Sequence, residues 1–114
     1  MNNNELIALS ASEVRRQLDS GDLSPLDVFN AVAESIAAVN PIVNALPTLC
    51  LEVAHDRAVQ LTKTQVPVAE RGALWGLPLA VKDYNDLAGV KTTYGSPIFA
   101  TNVPSISDAT VAQL

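Results

Sequence analysis

The chain is 114 residues long and 48% apolar, enough to core one small domain or part of a larger one. Its net charge of −5, with no cluster of Lys or Arg, lacks the concentrated positive charge that phosphates require, so no direct nucleic-acid binding is expected. One cysteine excludes an internal disulfide, "MNNNELIALS" lacks the form of a secretion signal and no continuous apolar run reaches the roughly 20 residues of a membrane span, so a cytoplasmic protein without a membrane partner is expected.

The first half reads as helices. Ser10 stands three residues before Glu13, a capping-box spacing, and Ala11, Val14 and Leu18 fall on one helical face until Gly21, a natural stop. A second helix opens with Ser24 as N-cap and Pro25 in the first helical position. Val28, Ala31, Val32, Ile36 and Val39 continue its apolar stripe, and Asn40-Pro41 is expected to end it. A third helix is expected from near Leu49 to Thr62, with Leu51, Ala54, Ala58 and Leu61 on its buried side.

After Gln65 the texture changes. "VPVAERGALW" reads as a loop, and "GLPLAVKD" is too short and too continuously apolar for an amphipathic helix. Leu79 to Asp83 reads as a strand buried on both faces, with Pro78 at its start, where the missing amide hydrogen does least harm. "YNDLAGV" supplies a turn in which Gly89 is free to take positive φ, and "KTTYGSPIF" is an irregular approach to another short extended piece. "PSISDATVAQL" starts a helix capped by Ser107 or Asp108, with Val111 and Leu114 on one face, and it stops well short of the roughly 11–12 residues of an average helix.

The expected fold class is α/β: N-terminal helices over residues 1–65 leading into the first strands of a mixed β-sheet, with the lysine strand, a loop and the start of a further helix in 66–114. An incomplete sheet and an unfinished helix together lead us to expect the front part of a longer protein. A central strand without neighbours has unpaired edges, so these residues are expected to self-associate, to rearrange after residue 65 or to be disordered there.

Lys82 is the first candidate for chemistry. Set among Leu79, Ala80, Val81 and a tight turn, its amine is expected to be partly desolvated, which disfavours the charged form and suits a general base. In an ideal strand Asp83 points to the opposite face, so it is not automatically the counter-ion. The residues alone leave a plainer reading open, in which Lys82 ends a strand and reaches to water.

"LWGLPLAVKDYNDLAGVKTTYGSPIF" resembles the N-terminal conserved block of the amidase signature family, approximately G-[ILV]-P-x-x-[VI]-K-D, a variable turn, then G-x-x-T-T-x-G-S. Gly76, Pro78, Val81, Lys82 and Asp83 match the first part, and Gly89, Thr92, Thr93, Gly95 and Ser96 match the second at the same spacing. The likeness extends outward through "SGDLSPLDV", "AVNPIVNAL" and "SDATVAQL", so it covers nearly the whole chain.

This resemblance implies a Ser–cis-Ser–Lys triad that hydrolyses a carboxamide without metal or cofactor. The lysine, matched by Lys82, draws a proton through a bridging serine from a nucleophilic serine, which forms an acyl-enzyme as ammonia or an amine leaves. The glycine- and serine-rich segment that carries both triad serines is absent here, and neither Ser96 nor Ser105 replaces them. The 114 residues are therefore expected to be inactive alone. Thr92, Thr93, Gly95 and Ser96 are expected to shape the loop after the lysine, and no substrate-binding residue is assigned.

The expected partner of the complete enzyme is a small-molecule amide, with a homo-oligomer left open. Family members also include the transamidase component that supplies ammonia to misacylated tRNA, and a non-catalytic helical interaction module is the alternative from another class. Cys50 could pair with Lys82 as in nitrilase-type amidases, but it begins a helix with no matching motif and reads as an inert, buried thiol. His55, beside Glu52 and Asp56, reads as a surface residue, and one histidine makes no zinc site. Trp75 is expected to pack against the lysine strand.

Overall fold

Three of the helices begin in the same way. In the computed structural model, which describes all of residues 1–114, α1 (Asn3–Ile7), α2 (Ala11–Ser20) and α3 (Pro25–Val43) each start on a reciprocal capping box. The N-cap side chains of Asn2, Ser10 and Ser24 accept from the backbone amides of Glu5, Glu13 and Asp27, in that order. Those three carboxylates accept in return from the N-cap amides, each at 2.8 Å. Each box satisfies two amides that a helix start leaves unpaired, and such a cap is worth about 1 kcal/mol. The hydrogen bond from Ser10 also holds the Glu13 carboxyl below its ordinary range. The box at Ser10 and the N-cap at Ser24 match the sequence expectation, whereas the reciprocal bond from Asp27 and the short α1 have no counterpart in it.

Gly21 closes α2 at φ 81°, as its lack of a Cβ permits. The expected end of α3 needs correction: the helix runs through Asn40 and Pro41 to Val43 and closes on Asn44 in the left-handed region, φ 50°. Pro41 lies in the last turn, where little helix remains to be disrupted. Asn40 also holds the exit, since its side chain accepts from the Leu46 amide at 2.8 Å and donates to the Leu46 carbonyl at 3.0 Å. α3 has the length and apolar content of a membrane span, but Val28 and Ala31 are buried in the core, and Asp27 and Glu34 interrupt its apolar sequence.

The fourth helix, α4 (Leu51–Lys63), packs on α3 and buries Ala58, with Leu51, Ala54 and Leu61 half-buried on the expected face. Its Thr62 hydroxyl accepts from the Leu26 amide at 3.2 Å, satisfying a further unpaired donor in the first turn of α3.

The chain forms two compact units, residues 1–78 and 79–114. In the first, Leu6, Val14, Leu18, Val28 and Ala31 form the core, and Leu9, Leu23, Trp75 and Leu77 pack against it. Arg71 fastens the segment after α4 to the end of α2. Its guanidinium donates to the Leu18 carbonyl at 2.9 Å, pairs with Asp19 at 3.1 Å and lies 3.9 Å from the centre of the Trp75 ring. A cation at a helix C-terminus and over an indole face is favourable on both counts. Trp75 thus packs on the helical core, not on a lysine strand, and its indole N–H is buried without a partner.

The α/β expectation is overturned. The structure is helical, with no strand and no sheet, and Leu79 to Asp83 forms no backbone ladder. Leu79 is 49% exposed, and Ala80 and Lys82 are exposed as well. A continuous apolar run marks a central strand only when other strands flank it. Here its first residue, Leu77, joins the helical core, and Pro78 offers no amide hydrogen.

Candidate active site

The second unit, residues 79–114, is built from turns, a 3₁₀ turn at Pro97–Phe99 and the short helix α5 (Ala109–Ala112). Its order comes from two stretches that run alongside each other in opposite directions. The Asp108 amide donates to the Asp86 carbonyl at 3.0 Å, the Gly89 amide to Pro104 at 2.9 Å and the Thr92 amide to Asn102 at 3.0 Å. The bonds are too sparse for a β ladder, so they hold an extended pairing without making a sheet.

Side chains reinforce this frame. Asp108 Oδ2 accepts from the Asp86 amide at 2.9 Å, so Asp108, one of the two expected caps of α5, spends its carboxylate across the loop instead of on its own helix. Ser107, the other expected cap, accepts from the Ala88 amide at 2.9 Å. Asn102 donates to the Thr92 carbonyl at 2.9 Å, and Thr92 is the one buried polar residue, at 2% exposure. Gly89 takes φ 76°, as the turn requires.

Lys82 ends the apolar run, and a turn begins on it. Its carbonyl accepts from the Tyr84 amide at 2.7 Å and the Asn85 amide at 3.0 Å. The ammonium lies 5.3 Å from the centre of the Tyr84 ring and makes no salt bridge or hydrogen bond to a protein group. The expected partial desolvation is not found in these residues: Lys82 is exposed, because no strand or helix of this unit covers it.

Asp83 is engaged elsewhere. One carboxylate oxygen accepts from the Thr93 amide at 2.7 Å and the other from the Thr93 hydroxyl, and that hydroxyl accepts from the Gly95 amide at 3.3 Å. The Thr93 side chain, then its amide, hold the Asp83 carboxyl below the usual range against a smaller opposing effect of desolvation, and Gly95 and Lys91 add still smaller lowering contributions. The K-D and T-T-x-G segments are therefore joined through one carboxylate. The sequence places both segments at the right spacing but not their contact across ten residues.

Tyr94 adopts φ 51°, a strained region for a side chain with a Cβ. Its ring meets Phe99 edge-on at 5.0 Å, and its hydroxyl donates to Asp86, which pushes the phenol up from its ordinary value. No sequence pattern signals this contact. Ser96 caps the 3₁₀ turn by accepting from the Ile98 amide at 3.3 Å, and Ser105 is exposed. No serine hydroxyl hydrogen-bonds to the Lys82 amine.

In the first unit, Cys50 is a half-buried residue at the N-cap of α4, with no side-chain cap bond. His55 is exposed, 3.4 Å from Asp56, with its ring edge-on to Phe29. Neither arrangement provides an activated nucleophile.

The Lys82 amine is thus free of ion pairs, beside a carboxylate that is tied into the T-T-x-G-S loop. The chain belongs to the amidase signature family: the family's sequence model, described as Amidase, matches residues 27–114. It is 31% identical over 106 residues to an acylamidase of Rhodococcus erythropolis, covering 93% of this chain and 22% of that protein. It is also similar to the A component of glutamyl-tRNA(Gln) amidotransferases. To that of Lysinibacillus sphaericus it is 38% identical over 106 residues, covering 93% and 21%. To that of Carboxydothermus hydrogenoformans it is 32% identical over 109 residues, covering 96% and 22%. The chain thus spans about a fifth of the length of the curated relatives it matches. No solved structure matches it.

Proposed function

We propose that these residues are the N-terminal part of an amidase that hydrolyses a carboxamide C–N bond through an acyl-enzyme, with Lys82 as the general base of a Ser–cis-Ser–Lys triad. The supporting observation is that the family match runs unbroken through the K-D and T-T-x-G-S segments, which Asp83 and Thr93 link. In this reading the neutral Lys82 amine takes a proton from a bridging serine as that serine takes one from the nucleophilic serine. The nucleophile adds to the carbonyl carbon, the C–N bond breaks, and the proton returns to the departing nitrogen. Water then releases the acid from the ester. Neither a metal nor a cofactor is needed for these steps.

The test uses the complete amidase. A guanidinium stays protonated in proteins, so Lys82→Arg keeps the charge and loses the base. Lys82→Arg and Lys82→Ala are both expected to lower kcat by about 10²-fold or more, the lower end of what a positioned base contributes. An arginine variant with near-parental kcat overturns the assignment.

The 38% identity to a glutamyl-tRNA(Gln) amidotransferase component favours a second reading, in which the amidase releases ammonia for transfer to a misacylated tRNA and works beside partner proteins. Turnover of simple amides by the complete chain alone supports the first reading. Glutamine hydrolysis that depends on glutamyl-tRNA and on added partner proteins supports the second.

A further inference from the structure

Lys82 has a side chain of four flexible methylenes, no ion pair and no hydrogen-bond partner for its amine. A base has to be held within a fraction of an ångström of the proton that it takes, and an unrestrained lysine is not. What restrains it here is the backbone. The turn folds on the Lys82 carbonyl, and the next residue is fixed by its side chain to a position ten residues away.

We infer that Asp83 is a positioning residue for Lys82: its carboxylate, held by the amide and hydroxyl of Thr93, clamps the lysine turn to the T-T-x-G loop and so sets the direction from which the amine acts. The inference rests on the reading of Lys82 as the base. Three details carry it. Both Asp83 oxygens are used on Thr93, so the carboxylate is not free to pair with the adjacent ammonium. The Thr93 hydroxyl in turn accepts from Gly95, and both Tyr94 and Gly95 sit at positive φ, so the loop is shaped to present Thr93 to the carboxylate. Thr92, next to Thr93, is buried and bonded to Asn102 in both directions, which anchors the far side of the clamp in the frame of the unit.

A clamp and a nearby charge make different predictions. If Asp83 acted only through its charge, its removal would make the neighbouring amine easier to deprotonate; the rising limb of kcat against pH would move to lower pH, and the plateau would stay. If it acts as a clamp, the plateau itself falls. Thr93→Val separates the two, because it removes the hydroxyl half of the clamp and leaves the Asp83 charge in place.

In the complete amidase, we expect Asp83→Asn to lower the plateau kcat by about 10-fold or more with KM little changed. Thr93→Val should lower it several-fold without moving the limb, and Thr93→Ser, which keeps the hydroxyl, should restore it. Lys82→Ala, measured alongside, reports on the parent reading: if it retains activity, Lys82 is not the base. If Lys82→Ala is inactive but Thr93→Val and Asp83→Asn keep the parental plateau, the base stands and the clamp is refuted. A plateau loss in Thr93→Val that Thr93→Ser does not reverse also refutes the clamp.

Discussion

Gly76 begins the family motif, and the structure gives two separable reasons for a glycine there. Its φ is +78°, and a Cβ built on it would lie 3.0 Å from Leu18 Cδ1 and 3.4 Å from Pro25 Cγ. The left-handed conformation costs a residue with a Cβ about 1–2 kcal/mol. Leu18 is only 2% exposed, so its methyl has little room to retreat, and crowding a packed core adds about 1–3 kcal/mol. Gly76→Ala should therefore destabilise by about 2–5 kcal/mol. Two other glycines serve as controls. Gly21 has φ +81° and nothing within 4 Å of an added Cβ, so Gly21→Ala should cost the conformational part alone, about 1 kcal/mol. Gly72 has open space and no positive φ, so Gly72→Ala should be neutral or stabilise by about 0.4–1 kcal/mol through the unfolded chain. Thermal unfolding of the 114-residue chain, followed by circular dichroism, reads the series at about 4–8 °C per kcal/mol for a domain of this size. A Gly76→Ala midpoint equal to that of Gly21→Ala would show that the Leu18 contact costs nothing and refute the packing argument.

The end of α3 gives a second test. Pro41→Ala restores an amide within the last turn and should raise thermal stability by about 1 kcal/mol, while Asn40→Ala, which frees Leu46, should lower it by a similar amount. Acid provides a third. The folded Asp83 carboxyl titrates below its unfolded value of about 3.9, so its tie to Thr93 is fully present above that pH and is lost as pH falls through the lower, folded value. The Thr93 amide resonance should report this titration, and Asp83→Asn should abolish it. An amide shift that survives in Asp83→Asn assigns the titration to another group.

The parts of the fold that are legible in sequence are those set by local chemistry. Ser10 with Glu13, Ser24 with Pro25, and Gly21 each act over a few residues, and the structure uses them as read. The spacing of Leu51, Ala54, Ala58 and Leu61 likewise marks the inner face of α4. α1 has an equivalent box at Asn2 and Glu5, but a helix of five residues depends on Leu6 entering the core, which is a long-range fact. The proline rule at Asn40-Pro41 fails because side-chain bonds from Asn40 to Leu46 hold the final turn. The strand fails for a different reason: a short apolar run specifies burial but not the partner, and here Leu77 finds a helical one. At the site, motif spacing singles out Lys82, Asp83 and the threonines. It does not show that Asp83 reaches Thr93, nor that Asp108 reaches Asp86, because nothing in local periodicity encodes a contact between loops.

The organisation around Lys82 separates two requirements of a lysine base, and the last prediction follows from the difference. In the proposed reading, direction is supplied locally, by the turn on its carbonyl and by the Asp83–Thr93 tie. Cover is not: Lys82 is exposed, and a proton acceptor must spend part of its time as the neutral amine, which water disfavours. The 114 residues alone therefore lack a nucleophilic serine and a bridging serine beside Lys82, and also apolar cover for its amine. We expect the purified chain to show no Lys82-dependent hydrolysis of simple amides. An external nucleophile such as hydroxylamine supplies only the first missing part, so it should not rescue turnover either. Ammonia release, measured by a coupled assay with the chain and with Lys82→Ala, tests both statements. Activity in the parent chain that disappears in Lys82→Ala would mean that the exposed lysine is already a competent base, and the need for cover would fall.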